Sequence, residues 1–195
     1  MIYFSPFRLF FAGLFFCFEI GQALGQLPAA QMTAVFPLGC QVGKETEVQV
    51  HGGDLEGAAE LRFTHPGITA ELTNTAERKF KVSVAEDVPT GVYEVRVVGA
   101  LGLSNSRLFA VSTLDESRSP SGNTSMKTAA ALGDDSVVNG VCVVRLSSWF
   151  QVKAKKGQRL LLRISAKSLD SRMSPVMLLR SGAGAVSYTH LTLPT

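Results

Sequence analysis

The sequence has few of the residues that build metal, haem or disulfide sites, with three cysteines and three histidines among 195 residues. It contains no Cys-x-x-Cys, His-Glu-x-x-His or Cys-x-x-Cys-His motif, so the usual zinc and haem-attachment signatures are excluded. The net charge of +3 is too small to indicate a nucleic-acid partner. Hydrophobic residues make up 46% of the chain, which excludes disorder throughout.

The N-terminus has the pattern of an export signal. Arg8 precedes the apolar run Leu9–Phe18, which ends at Glu19. As a helix this run would be roughly 15 Å long, about half of the apolar core of a bilayer, so no stable membrane span is predicted. A basic start, a short apolar core and the small-residue site Ala23-Leu24-Gly25 predict a signal peptide over residues 1–25. We therefore expect a secreted, periplasmic or cell-surface protein.

Signal cleavage would also change the cysteine content. Cys17 would leave with the signal, and the bulky Phe16 before it argues against a lipid anchor at that cysteine. Cys40 and Cys142 would remain, in an environment that permits a disulfide. Because the two lie in different predicted domains, we expect two separately packed thiols, with pairing as the alternative.

Residues that would carry catalysis are few and scattered. His51 lies on the polar face of a predicted strand, His65 precedes a Pro-Gly turn, and His190 lies close to the C-terminus. Ser104 lacks the second glycine of a Gly-x-Ser-x-Gly elbow. A zinc site formed by Cys40 with His51 and His65 is the alternative to three unrelated residues. We expect no catalytic, cofactor-binding or metal-binding residues, no cofactor and no enzyme activity in this fragment, and leave the activity of the full-length protein open.

Charge divides the chain into two parts. Residues 30–114 contain 7 basic and 10 acidic side chains, whereas residues 120–184 contain 10 basic and 3 acidic side chains. The segment at 115–125 is polar and contains proline and glycine, a composition typical of linkers. These boundaries predict a first domain over 30–114, a linker over 115–125 and a second, partial domain over 126–184.

Apolar and polar residues alternate along the first part, and glycine- and proline-containing turns separate the alternating segments. About five to seven short strands without a helix predict an antiparallel β-sandwich. The residues expected to point inward are Val48, Val50, Leu61, Phe63, Phe80, Val82, Val84, Tyr93, Val95 and Val97.

The second part also alternates, at 150–155 and at 160–164, and 176–179 is a further strand candidate. Trp149 and Phe150 are expected in its core rather than on a nucleic-acid surface. Its basic side chains predict a solvated strand-turn-strand face, with contact to an anionic polysaccharide or an acidic neighbouring domain as the alternative. They are Lys153, Lys155, Lys156, Arg159 and Arg163. A glycosylation acceptor pattern occurs at Asn123-Thr124-Ser125.

The first part resembles the immunoglobulin-like domains of the IPT/TIG family over residues 32–113. The resemblance implies a sandwich fold and an extracellular module, without catalytic residues. The matching segments are Val35-Phe36-Pro37, Gly43, Thr46-Glu47-Val48, Gly52-Gly53-Asp54-Leu55, Val88-Pro89-Thr90-Gly91 with the strand Val92–Val97, Gly102-Leu103-Ser104-Asn105-Ser106 and Phe109-Ala110-Val111.

The second part is similar to a bacterial pre-peptidase C-terminal (PPC) domain, which implies a partial jelly-roll-like β-sandwich of a kind appended to secreted enzymes and surface proteins. The family usually has acidic residues before the Trp-Phe pair, where this chain has Ser147 and Ser148. Calcium, which takes six to eight oxygen ligands, is therefore not expected. The matching segments are Ala130-Ala131-Leu132, Val138-Asn139-Gly140, Trp149-Phe150-Gln151-Val152, Lys155–Leu160 and Ser174–Leu179.

Together these patterns predict a non-catalytic binding or spacer module of a secreted or cell-surface bacterial protein. The alternative is an accessory N-terminal region of a secreted peptidase or other hydrolase whose catalytic domain follows. A cell-wall or extracellular polysaccharide, or a protein, is the expected kind of partner. Residues 185–195 are interpreted as a non-native tail, with a genuine final strand as the alternative, since Tyr188 and its neighbours favour β-structure.

Overall fold

The computed structural model of the chain describes residues 28–143 and 145–182, together with the backbone of 186–188. Strands make up 43% of the structure, and no described helix reaches seven residues, so the predicted all-β fold class is confirmed. The predicted signal peptide and its helix, residues 1–25, lie outside the described residues. So does the tail at 185–195, apart from the backbone of 186–188.

The first part of the chain forms nine strands, in keeping with its two-residue alternation. In chain order they are β1 (Gln31–Phe36), β2 (Gly39–Gln41), β3 (Glu45–Gly53), β4 (Glu60–Phe63), β5 (Ile68–Asn74), β6 (Lys79–Val84), β7 (Gly91–Gly99), β8 (Gly102–Leu103) and β9 (Arg107–Ser112). One sheet has the order β1-β3-β6-β5. The other has the order β2-β9-β7-β4, with β8 beside β7. We call these nine strands the sandwich.

The chain changes sheets at Pro37. Before it, β1 runs antiparallel to β3; after it, β2 runs parallel to β9 in the other sheet. Proline has no N–H to donate to a ladder, so pairing is interrupted there. The resulting strand order is that of an immunoglobulin-type sandwich. Near the start of β7 the Tyr93 hydroxyl donates to the carbonyl of Pro89 at 2.6 Å, which is the tyrosine corner of such folds.

The core lies between the two sheets. Most of the inward-facing residues predicted from the alternation are buried there, and Phe63 and Tyr93 are half-buried. The Phe63 ring meets the Phe109 ring edge-on, with centroids 5.4 Å apart. The most deeply buried apolar side chains are Met32, Val35, Val48, Val50, Phe80, Val82, Val95, Val97 and Phe109.

The second part forms short strand pairs. Its strands are β10 (Asp115–Arg118), β11 (Ala130–Ala131), β12 (Ser136–Asn139), β13 (Phe150–Gln151), β14 (Leu179–Arg180) and β15 (Val186–Tyr188). β10 pairs with β12 and β11 with β13, both in parallel, whereas β14 and β15 are antiparallel. The jelly-roll-like arrangement that the resemblance implies stays a prediction.

Two local expectations for this part, at 160–164 and at Phe150, were wrong, and the predicted linker includes a strand. The start of the predicted linker, Asp115–Arg118, is a strand. The alternating segment at 160–164 is not a strand, and Leu160 and Ile164 on its apolar face are 42% and 40% exposed. Phe150, expected in a core, is 38% exposed. Within the described residues no second sheet lies over these side chains, so their alternation has no opposing face on which to bury them.

Candidate functional site

The residues that would make a metal or catalytic site lie apart in the described structure. His51 is exposed on β3, whereas the half-buried His65 sits in a turn, where its Nδ1 accepts a hydrogen bond from the Gly67 amide at 3.1 Å. The His65 ring also meets Tyr93 edge-on. In the described ranges no three His, Cys, Asp or Glu side chains are placed to hold a metal ion. His190 lies outside these ranges.

Ser104 has a structural role and is not exposed. Its side chain is buried, and its hydroxyl accepts a hydrogen bond from the Val97 amide at 3.0 Å while donating to the Asn105 carbonyl at 2.7 Å. Because the hydroxyl both accepts and donates a hydrogen bond inside the fold, Ser104 stabilises the end of β7.

The glycosylation pattern also falls on an inward-facing residue. Asn123 is buried, and its Nδ2, the atom that would carry a glycan, donates to the Trp149 carbonyl at 3.2 Å. Attachment at this nitrogen would require the local fold to open.

The two described cysteines are free and have opposite surroundings. Cys40 is buried and Cys142 is exposed. Burial, and to a lesser degree the nearby Glu116 carboxylate, raises the pKa of the Cys40 thiol from 9.0 to about 11. Since the thiolate is the reactive form, the raised pKa and the burial of Cys40 both lower its reactivity at neutral pH. Of the two separately packed thiols that we expected, Cys40 is packed, whereas Cys142 is exposed.

The most developed polar cluster lies where the sandwich meets the strands that follow it. Asn139 of β12 bridges the two: its Oδ1 accepts from the Leu38 amide at 3.2 Å, and its Nδ2 donates to Glu116 Oε2 at 2.9 Å. Ser112, at the end of β9, places its hydroxyl 3.4 Å from Glu116 Oε1. We call these four residues, Leu38, Ser112, Glu116 and Asn139, the joint.

Gly39 makes room for the joint. A Cβ at this position would lie 2.6 Å from the Ala110 carbonyl oxygen and 3.0 Å from Glu116 Oε1. Real Cβ atoms do not approach other heavy atoms so closely, so a larger residue here would displace either β9 or the carboxyl group. The strand β2 therefore accepts Glu116 against its backbone only because position 39 has no side chain.

Two further contacts hold the second part against the sandwich. The Arg118 guanidinium donates to the Glu47 carbonyl at 2.6 Å and lies over the Phe36 ring, 5.3 Å from its centroid. On another face, the turn Lys167–Leu169 contacts β9, and Ala166 beside it is buried. The residues after the sandwich are thus tied to it at separate points.

A cavity of about 230 Å³ lies beside the joint. Its charged lining comes from the sandwich at Lys44 and Glu45 and from β10 at Asp115, Glu116 and Arg118. Burial raises the pKa of the half-buried Glu116 carboxyl, and the hydrogen bonds from Asn139 and Ser112 offset part of that rise.

Sequence reasoning missed the joint. In the sequence, Asn139 belongs only to the segment that resembles the PPC family, and Glu116 belongs to the predicted linker. The Asn139 contacts span 23 and 101 residues of chain, so no local pattern marks them. The available signal was Gly39, a glycine between two alternating segments, which often marks a close approach of another chain segment.

The basic side chains of the second part are exposed, as a solvated face requires. Lys155 and Gln158 close the turn between them, with the Lys155 amide donating to Gln158 Oε1 at 2.9 Å. Among the described residues, none of the helices has the length and apolar content to cross a membrane.

No protein-family model and no curated protein sequence matches the chain. Among solved structures, the chain is similar to SGBP-B of the mixed-linkage glucan utilization locus of Bacteroides ovatus, determined in complex with a mixed-linkage heptasaccharide. The sequence identity is 18% and the TM-score 0.33. The match covers 47% of this chain and 24% of that one.

Proposed function

We propose that the sandwich and the strands after it form a non-catalytic spacer module of an exported bacterial protein. In this module the sandwich holds the strands that follow it in a fixed orientation. The observation that carries the proposal is the bridge made by Asn139, which bonds to the Leu38 backbone of the sandwich and to Glu116 of β10. A flexible linker, in contrast, would leave its backbone groups to water.

The surface of the sandwich supports a spacer rather than a binding face. Binding faces are enriched in exposed aromatic side chains, yet each of the five aromatic residues between 28 and 114 is buried or half-buried. The outer face of the first sheet carries ion pairs instead, such as Lys81 Nζ to Glu45 Oε2 at 2.6 Å. Such a face stays solvated and needs no partner. A polysaccharide partner remains a proposal for other parts of the protein.

The test measures how much the distance between the sandwich and the part that follows it varies in solution. Spin labels are placed on the exposed Cys142 and on Thr75→Cys, which lies in the exposed turn after β5, in a Cys17→Ser background. Buried Cys40 stays unlabelled. We expect one narrow distribution of label-to-label distances in the parent protein. Asn139→Ala removes both bridging bonds, and we expect a clearly broader distribution.

Ser136→Ala is the matched control, because Ser136 lies on the same strand but its hydroxyl bonds only to the nearby Gly133 carbonyl, at 2.8 Å. It should leave the distribution narrow. A broad distribution in the parent protein would overturn the spacer proposal, and so would an Asn139→Ala variant as narrow as the parent. Retention of the parent protein on a polysaccharide column, lost on substitution within the sandwich, would favour the binding alternative.

A further inference from the structure

The second part of the chain exposes a loop that is rich in both basic and apolar side chains. We call residues 153–164 the basic loop. Its exposed bases are Lys153, Lys155, Lys156, Arg159 and Arg163. No acidic residue occurs between Asp135 and Asp170, and every ion pair among the described residues joins side chains between positions 45 and 96. The positive charge of the basic loop is therefore not neutralised within the described fold.

A tight turn holds two of these bases at the tip of the basic loop. The Gln158 amide donates to the Lys155 carbonyl at 3.0 Å, and Gln158 Oε1 accepts a hydrogen bond from the Lys155 amide at 2.9 Å. Gly157 has a φ of 85°, a value that suits the third position of a type II turn. Lys155 and Lys156 therefore occupy the first two positions of this turn, where both side chains are exposed.

Apolar side chains are exposed beside the bases. Leu161 is 93% exposed, and Leu160 and Ile164 are exposed as well. Leu161 lies two residues from both Arg159 and Arg163, and two residues of chain span at most about 7 Å. Both guanidinium groups can therefore reach any surface that Leu161 touches. The fold gains nothing from a leucine in water, so its exposure between bases indicates a partner that accepts both an apolar side chain and cations.

We infer that the basic loop binds the surface of a lipid bilayer that contains anionic headgroups. The lysines and arginines lie among the lipid phosphates, and Leu161 enters the boundary between the headgroups and the acyl chains. In the described fold the backbone of residues 159–165 makes no hydrogen bond, so it needs water and stays at the level of the headgroups. The contact is peripheral. It goes beyond the spacer function and does not depend on the joint.

A lipid surface fits the basic loop better than other anionic partners do. A hydrated polysaccharide would leave Leu161 in water, so it would not account for the exposed leucine. The sandwich of a second copy is acidic in composition, but acids on its surface such as Glu45, Glu60 and Glu94 already pair with basic neighbours. A bilayer offers a dense layer of phosphates directly above an apolar layer, which matches both kinds of side chain in the loop.

The test measures binding to lipid vesicles by co-sedimentation. The protein begins at Gln26, because the apolar run Leu9–Phe18 of the predicted signal would itself bind lipid. One set of vesicles contains equal amounts of phosphatidylglycerol and phosphatidylcholine, and the other contains phosphatidylcholine alone. We expect binding to the anionic vesicles that weakens as the salt concentration rises, and little binding to the neutral ones. Absence of binding to the anionic vesicles, or equal binding to both sets, would overturn the inference.

The double variant Lys155→Gln/Lys156→Gln removes the two charges at the tip of the loop. We expect it to weaken binding to the anionic vesicles about twenty-fivefold, from about fivefold for each base. Lys79→Gln/Lys81→Gln is the matched control, because it changes the net charge equally but removes lysines that pair with acids of the sandwich. The control should weaken binding much less. Equal weakening by both variants would mean that net charge rather than the basic loop attracts the protein, against the inference.

Leu161→Ser tests the apolar contact, and we expect it to weaken binding to the anionic vesicles about tenfold. Leu103→Ser, the same change at an exposed leucine of β8, should leave the binding unchanged. If Leu161→Ser binds as well as the parent, the loop recognises charge alone. A soluble polyanion such as alginate then becomes the better partner, and the inference is wrong. Circular dichroism checks that each variant keeps its fold. The spacer proposal is unaffected by any of these results, because none of the variants touches the joint.

Discussion

The sandwich and the part that follows it have the same kind of sequence pattern but a different outcome. Val95 and Val97 alternate with polar residues on β7 and are fully buried, whereas Leu160 and Ile164, on the apolar face of an equally alternating segment, are 42% and 40% exposed. The difference is the presence of a second sheet: β7 faces the sheet of β3 and β6 across the core. Alternation makes a strand amphipathic, but only an opposing apolar face turns that into burial.

The two parts also differ in how their polar groups are satisfied. In the sandwich, Asn105 pairs with both backbone groups of Met32, 73 residues away. In the second part, Asn123 also bonds over a distance in sequence, to the Trp149 carbonyl 26 residues away, but the turn at Lys155 and Gln158 is closed across only 3 residues. Long-range bonds of the first kind tie the fold into one cooperative unit, whereas local turns form and open independently. We therefore expect the two parts to respond differently to each of the following perturbations.

The reactivity of the two thiols should show the largest difference. The rise in the Cys40 pKa from 9.0 to about 11 lowers the thiolate fraction of Cys40 about a hundredfold at about pH 8, and burial keeps reagents from it as well. In a Cys17→Ser protein we expect a thiol reagent to modify Cys142 quickly and Cys40 only after unfolding, as counted by mass spectrometry. Equal rates for the two would contradict the burial of Cys40.

High pH should weaken the sandwich through the same thiol. Above pH 9 the Cys40 thiol ionises in the unfolded chain but stays neutral in the folded one, so stability falls as the pH rises from about 9 to about 11 and then levels off at the lower value. The conservative variant Cys40→Ala should remove this alkaline sensitivity.

Two phenylalanines give the next largest contrast. Phe109 is fully buried and packs edge-on against Phe63, so Phe109→Ala should destabilise the sandwich by about 3–5 kcal/mol. Phe150 is 38% exposed and has no opposing sheet, so Phe150→Ala should cost much less, about 1 kcal/mol or less. Urea denaturation followed by circular dichroism measures both. An equal loss in the two variants would mean that the second part has a core of its own.

The contrast between the two parts also separates what sequence could predict from what it could not. The strands of the sandwich followed from local signals: the alternation of Val48, Phe80 and Val95 with polar residues, and the turns between them. The apolar side chains of these strands are buried as predicted, because each strand packs against the opposite sheet. The same local signal over-predicted strands at 160–164, because period alone does not show whether a second face exists.

The joint was beyond local reasoning for a different reason. Glu116 lies in the segment 115–125, whose polar composition is that of a linker and shows no alternation that would indicate a buried face. Its half-buried state comes from Gly39 and Asn139, which the fold brings to it from distant parts of the chain. Contacts of this kind depend on the tertiary structure and on no pattern that a single segment carries.

The smallest effect we predict tests whether the polar bracing of the sandwich is as important as its packing. Ser104→Ala leaves the buried Val97 amide without the hydroxyl that accepts its hydrogen bond at 3.0 Å, and an unsatisfied buried donor costs about 1–3 kcal/mol. Ser117→Ala, at an exposed position on β10, should be within about 0.5 kcal/mol of the parent. Urea denaturation gives both values, and hydrogen exchange at Val97 should speed up in Ser104→Ala alone. If Ser104→Ala is as stable as Ser117→Ala, water replaces the hydroxyl at no cost, and apolar packing alone distinguishes the sandwich from the part that follows it.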